Sequence, residues 1–274
     1  MTASFLSEII LYPIKSVAGI SVKQWPVVKT GLLYDRQWML IDEQGQFLSQ
    51  RKLPKMALIK SAIQDDQLIV SAPALSDLSI ALKSADGDWV EATVWEYTGK
   101  ARSVSAEADQ WFSQFLELPC RLVYHPEESL RMVDPDYALD TDSVAFSDGF
   151  PFLLVSENSL HALNESAQLN LTMARFRPNL VVSGCEAYAE DTWREIRIAE
   201  IDFRLPKPCS RCSIPAIDPE TAIIEKAPLT ALNNTRKWQN KVYFGQNAIH
   251  NQTGLLSIGD VVQINKLGQQ QPPL

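Results

Sequence analysis

The chain has 274 residues, 46% hydrophobic and 21% charged, which is the balance of a soluble globular protein with material for one large domain or two closely packed ones. A net charge of −8 and an isoelectric point near 5 argue against a nucleic acid polymer as partner, because neutralising phosphates needs clustered cations. No apolar run reaches the roughly 18 residues of a membrane span, and the first eight residues lack the basic start and apolar stretch of a signal peptide.

The segments read mostly as strands. Phe5–Tyr12 is an apolar run stopped by Pro13. Gly31–Asp42 and Gln46–Gln50 predict a hairpin turning at Gly45, which supplies the positive φ of a tight turn. Leu78–Leu82 and Trp89–Trp95 flank Ala85–Asp88 and predict a second hairpin. In Glu195–Leu205, residues Ile196, Ile198, Ile201, Phe203 and Leu205 alternate on either side of Ala199-Glu200, predicting a third. Leu255–Ile264 supplies late strand material. Two helices interrupt the pattern. Ser105 caps a segment with Trp111, Phe112, Phe115 and Leu116 on one face, ended by Pro119. Ser156 caps another with Leu160 and Leu163 on its inner side. Many short strands with few helices predict an α+β fold, mostly β, built on barrels or curled sheets. A boundary is expected between residues 96 and 135, and Gly268–Leu274 has linker composition.

The chemistry concentrates in Lys207-Pro-Cys-Ser-Arg-Cys212. Lys207 and Arg211 put positive charge beside both sulfurs, and Pro208 and Pro215 predict a stiff loop. A closed zinc site lacks two further ligands, and a thioredoxin-like pair wants a βαβ setting. Two small buried residues on a turn, or a single thiolate ligand to a metal or cofactor, remain open. The four cysteines (Cys120, Cys185, Cys209, Cys212) are too few for a disulfide scaffold, so a reducing, cytoplasmic setting is expected. A second constellation is cationic. Lys15 and Ser16 follow a strand end, Arg36 lies on a predicted strand beside Asp35, and Arg177 and Asn179 precede Leu180–Ser183. Ammonium, hydroxyl and guanidinium groups suit an anionic ligand if folding brings them together. The histidines His125, His161 and His250 form no catalytic pattern.

In order, Leu11-Tyr-Pro-Ile-Lys-Ser16, Gly31–Arg36, Phe146-Ser-Asp-Gly-Phe-Pro-Phe152, Phe176–Gly184, Ala189–Trp193, Lys207–Cys212 and Phe244-Gly-Gln-Asn247 resemble the MOSC superfamily, named for the molybdenum cofactor sulfurase C-terminal domain. The likeness is greatest to the branch of mitochondrial amidoxime-reducing components and bacterial reductases of N-hydroxylated bases. It implies an N-terminal MOSC-associated β domain (1–120), a MOSC β-barrel domain (121–267) and a tail or linker (268–274). It also implies molybdenum cofactor, with Cys212 as the protein ligand to the metal and the catalytic residue. Cofactor contacts fall on Lys15, Ser16, Arg36, Arg177, Asn179 and Ser210, with Asp148 close by. The implied activity is reduction of small N-hydroxylated compounds, with electrons from an external ferredoxin-, flavoprotein- or cytochrome-type protein. No iron–sulfur cluster is expected, since no cysteine follows Cys212. The alternatives are a non-catalytic cofactor carrier and a persulfide sulfur-transfer module. This chain has Gly149-Phe150 where mitochondrial members carry hydroxyl residues, and Asn247 where they carry tyrosine.

Overall fold

In a computed structural model, residues 3–83 and 87–274 are described. The fold is mostly β, and its centre is a closed barrel of seven strands. Around the barrel, in order of pairing, run Phe152–Ser156, Leu180–Ser183, Ser4–Leu11, Val261–Leu267, Trp193–Ile198, Ile201–Ser210 and Lys241–His250, which pairs back to Phe152–Ser156. Every pairing is antiparallel except Phe152–Ser156 with Leu180–Ser183. That parallel pair needs a crossover, and the helix Glu157–Ala167 supplies it. Ser156 caps this helix through its hydroxyl, which accepts from the Ser159 amide.

Alternation explains the barrel core. Ile196, Ile198, Ile201, Phe203 and Leu205 are all buried, while Glu195, Arg197, Asp202 and Arg204 point outward. The Glu195–Leu205 hairpin forms as expected, with Ile198 opposite Ile201 and Ala199 taking the left-handed turn at φ 51°. Phe152 meets Phe203 edge-on at 5.2 Å across the interior.

Outside the barrel, Trp38–Ile41, Arg121–Tyr124, Tyr97–Ser103 and Trp89–Val94 form a four-stranded sheet. Lys60–Gln64, Gln67–Ser71 and Leu78–Ala81 form a three-stranded one. The helix Ala106–Leu116 buries Ala108, Phe112, Phe115 and Leu116 against Leu68, Val70, Leu78 and Ile80. Its Ser105 cap accepts from the Ala108 amide, as its sequence position predicts.

Three expectations need correction, and one helix was not anticipated. Leu78–Ala81 pairs with Gln67–Ser71 and Trp89–Val94 with Tyr97–Ser103, so they are not partners in a hairpin; residues 85 and 86 of the expected turn lie outside the described residues. The Gly31–Asp42 strand is broken, because Tyr34 and Arg36 take left-handed φ of 66° and 48°; its turn at Gly45 does form, with the Asp42 amide bonded to Gln46 O. Pro208 and Cys209 lie on the Ile201–Ser210 strand rather than on a loop. The prolines are accommodated there by irregularities in the pairing between Arg204 and Lys207 and between Pro208 and Ser210. A third helix, Ala227–Thr235, was not anticipated: it has no side-chain cap, and Pro228 in its first turn is the one signal of its start.

The tail is docked: Gln271 donates its amide to Asp191 O and accepts from Gln246 Nε2, and Pro272 is buried.

Barrel closure imposes its own constraint. Gly245 holds φ +79° on the Lys241–His250 strand, and a Cβ there would sit 2.8 Å from Leu154 O and 2.6 Å from Val155 Cγ2. Gly245→Ala therefore combines backbone strain with overpacking and should cost more than about 2 kcal/mol. Urea titration is the check: a lower midpoint with unchanged slope is expected.

Candidate functional site

Eight residues from distant parts of the chain (Lys15, Ser16, Arg36, Asp148, Arg177, Asn179, Ser210 and Cys212) line one open cleft. Phe47, Arg51, Phe150, Arg211 and Asn247 complete much of its wall. Three of the eight sit in the left-handed region without being glycine: Ser16 at φ 67°, Arg36 at φ 48° and Arg177 at φ 55°. Such backbone costs on the order of 1–3 kcal/mol per residue and persists only where surrounding structure enforces it.

Backbone bonds hold these turns: Arg36 donates its amide to Tyr12 O and accepts from the Phe146 amide, Ser16 O accepts from Gln50 Nε2, and Arg177 O accepts from Arg36 NH2. Asn179 positions the Arg36 side chain. Its side-chain oxygen accepts from Arg36 NH1 at 2.9 Å and from the Leu153 amide at 3.3 Å, and its nitrogen donates to Ile10 O at 3.1 Å. One amide thus ties three strand ends to a guanidinium, at 1% exposure. Arg36 is further held by Asp35 Oδ2 at 2.6 Å, while Asp35 Oδ1 accepts from the Tyr12 amide at 2.8 Å. Burial pushes the Asp35 carboxyl up, and Arg36 opposes that shift.

Arg177 differs from Arg36. Its guanidinium stacks 4.2 Å from the Tyr12 ring centroid and makes no hydrogen bond or close ion pair among the described residues, the Asp148 and Asp35 carboxylates acting on it from farther away. Desolvation lowers its pKa to about 10, and the Arg36 charge adds to that. A half-buried guanidinium with all its donors free is matched to a planar or tetrahedral anion.

Lys15 is nearly enclosed, with a side chain 6% exposed. It donates to Phe146 O at 2.8 Å and to Asp148 Oδ1 at 2.5 Å. Burial lowers its pKa to about 8, partly offset by Asp148. Asp148 itself is exposed and also accepts from Trp95 Nε1 at 3.0 Å. Desolvation raises its carboxyl, but the Lys15 charge and hydrogen bond outweigh that and hold it below the usual carboxylate range. Asp148 is therefore an acceptor at neutral pH. Arg131 braces this loop from behind through Ala145 O at 2.8 Å and Ser147 O at 2.5 Å.

Cys212 is exposed at the cleft with a free thiol, whereas Cys209 is half-buried and accepts from Arg211 NH1 at 3.1 Å. The two sulfurs are thus different in kind. All four cysteines are free. Among the described residues no cluster of three His, Cys, Asp or Glu side chains forms a metal cage, so a metal held by Cys212 needs its other ligands from a cofactor. The soft thiol, the free guanidinium and the buried ammonium together fit a group carrying both a phosphate and a thiolate-binding metal.

Arg51, Phe47, Trp95 and Arg131 were not singled out from the sequence. Arg51 stacks 4.2 Å from the Trp95 ring. Nothing local in Phe47–Arg51 signals that position; only the folded hairpin carries it to the cleft.

Residues 3–119 match the MOSC N-terminal beta barrel domain and residues 141–263 match the MOSC domain. The chain belongs to the family of MOSC-domain proteins that includes the amidoxime-reducing components. It is 34% identical to mitochondrial amidoxime-reducing component 1 of Mus musculus (96% of this chain, 82% of the relative) and 33% identical to that of Homo sapiens (96% and 83%). It is also 34% identical to molybdenum cofactor sulfurase of Solanum lycopersicum, covering 88% of this chain but 32% of that protein. Both matched segments contribute to the cleft: Lys15, Arg36, Phe47 and Arg51 from the first, and Asp148, Arg177 and Cys212 from the second.

Two outcomes follow from these environments. Lys15 is cationic below pH 8 and neutral above it, so affinity for inorganic phosphate, measured calorimetrically, should fall as pH rises from 7 to 9. Lys15→Arg should keep its affinity through that range. For stability the sign is opposite: the unfolded chain holds the Lys15 proton up to its ordinary value, so the burial penalty present below pH 8 is relieved as pH rises past it. Separately, Asn179→Ala leaves the Leu153 amide and Ile10 carbonyl unsatisfied and should cost roughly 2–4 kcal/mol. It should also weaken phosphate binding, because Arg36 loses its positioning bond; unchanged phosphate affinity in folded protein would contradict that role.

Proposed function

We propose that the cleft binds molybdenum cofactor and that the protein reduces N-hydroxylated compounds: hydroxylamines, amidoximes and N-hydroxylated bases. The observation that carries this reading is the pairing, in one cleft, of the Arg177 guanidinium, whose N–H donors make no hydrogen bond among the described residues, with the exposed Cys212 thiol. Kinship with proteins named amidoxime-reducing components supports the substrate class.

In the overall reaction, N–OH takes up two electrons and two protons and yields N–H and water. The bound cofactor supplies the redox centre. Cys212 is its protein ligand through sulfur. Lys15, Ser16, Arg36, Arg177 and Ser210 hold the phosphate and the polar edge of the pterin, with Asn179 acting through Arg36. Asp148, held ionised by Lys15, orients the substrate by accepting from its N–H or O–H group. Electrons come from a ferredoxin-, flavoprotein- or cytochrome-type donor, carried on a separate protein or on a further domain. A reducing, cytoplasmic-type compartment suits four free thiols. Among the described residues no helix is long and apolar enough to cross a membrane.

The test uses protein from a host that makes the cofactor, assayed for molybdenum, pterin fluorescence and turnover of benzamidoxime with a chemically reduced viologen. Wild type should contain metal and form benzamidine. Cys212→Ser should lose the metal and the activity, while Cys209→Ser should retain most of both; equal loss in the two variants would reject Cys212 as the single ligand. The kinship with a sulfurase keeps a cofactor-handling role in view. Full loading without turnover would favour a carrier, and labelled sulfur accepted by Cys212 from a cysteine desulfurase would favour sulfur transfer.

A further inference from the structure

Asp148 is followed by Gly149 and Phe150, which line the same cleft. A Cβ built on Gly149 would meet nothing within 4 Å, so the cleft is open at this point of its wall. The next side chain is a half-buried ring that is already immobilised. Phe150 packs against the buried cluster of Val133, Val144 and Ile249. Tyr137 meets it edge-on, with centroids 6.0 Å apart and planes at 61°. The Lys207 ammonium lies 5.4 Å from the Phe150 centroid and 4.4 Å from that of Tyr137, and is itself anchored 3.6 Å from Asp134.

A ring fixed in this way loses little further freedom when a ligand stacks on it, so its apolar face is a preorganised contact. A flat aromatic ligand covers that face and gains the offset or edge-on ring interaction. An aliphatic ligand with the same polar head leaves the face wetted. Phe47, held 5.2 Å from Trp95, puts a second aromatic group on the cleft wall. The polar groups that would hold the cofactor and the reacting N–OH (Lys15, Arg177 and Cys212) do not distinguish these two kinds of ligand.

Resting on the reductase reading above, we propose that Phe150, braced by Tyr137 and Lys207, is a specificity-determining residue. It makes the protein prefer N-hydroxy compounds that bear a flat aromatic ring next to the N–OH-carrying group over aliphatic ones.

The experiment compares wild type with Phe150→Leu, which keeps apolar bulk but removes the ring, and with Phe150→Ala. Cofactor-loaded proteins are assayed for kcat/KM on benzamidoxime and on acetamidoxime. Binding of benzamidine and of acetamidine to the same proteins is measured by calorimetry, and melting midpoints establish that each variant is folded. Wild type should favour benzamidoxime, and in Phe150→Leu the ratio of the two kcat/KM values should fall roughly two- to twelve-fold, the range for one aromatic contact. Benzamidine binding should weaken by a similar factor while acetamidine binding stays unchanged. The proposal is overturned if both ratios are unchanged in folded Phe150→Leu and Phe150→Ala, or if aromatic and aliphatic ligands lose equally. Should no protein turn over either substrate, the reductase reading fails, and the benzamidine-to-acetamidine affinity ratio alone decides whether Phe150 selects aromatic ligands.

Discussion

The side-chain amide of Asn179 is the joint on which this structure depends. It satisfies the Ile10 carbonyl, the Leu153 amide and a guanidinium nitrogen of Arg36 at once, in a place closed to water. Asp35 shares the hold on Arg36, but Asn179 alone links that guanidinium to the Ile10 and Leu153 backbone, so the joint couples the approach of three barrel strands to the direction of a cleft cation. Fold and site are for that reason one cooperative unit rather than a scaffold with a site added.

The cleft gathers positive charge inside an acidic protein, at a cost in desolvation and backbone strain. Lys15 and Arg177 are both depressed by desolvation, and the left-handed backbone at Ser16, Arg36 and Arg177 adds strain. A chain selected for stability alone would pair the Arg177 guanidinium, as Arg175 is paired with Asp218 and Glu225 nearby. Unpaired charge and strained backbone gathered in one place mark a functional site rather than packing for stability. The two cysteines divide along the same line: Cys209 is occupied by Arg211, and Cys212 is left exposed to the cleft.

Much of this was legible in the chain. Alternation in Glu195–Leu205 reports its hairpin directly, because side-chain direction in a strand has a period of two residues. Ser105 and Ser156 mark their helices because the capping hydroxyl acts within three residues of itself. Lys15, Arg36, Arg177 and Cys212 stood out as chemical groups with no evident packing role. Other features were hidden. Arg36 reads as a strand residue beside Asp35, and nothing in Tyr34–Trp38 shows the left-handed turn there or the bond to Asn179. Leu78–Ala81 and Trp89–Val94 look like hairpin partners, but each finds its complement in another strand.

The sequence by itself determined the local matters: which segments are strands or capped helices, which residues carry charge or sulfur, and which family's ordered motifs they match. Only the tertiary structure decided that residues as far apart as Lys15 and Cys212 face one cleft, that Arg177 is free while Arg36 is paired, and that Phe150 is a fixed wall. The physical reason is range. Periodicity and capping act over a few residues, whereas convergence depends on long-range strand pairing and buried hydrogen bonds whose partners lie more than a hundred residues away.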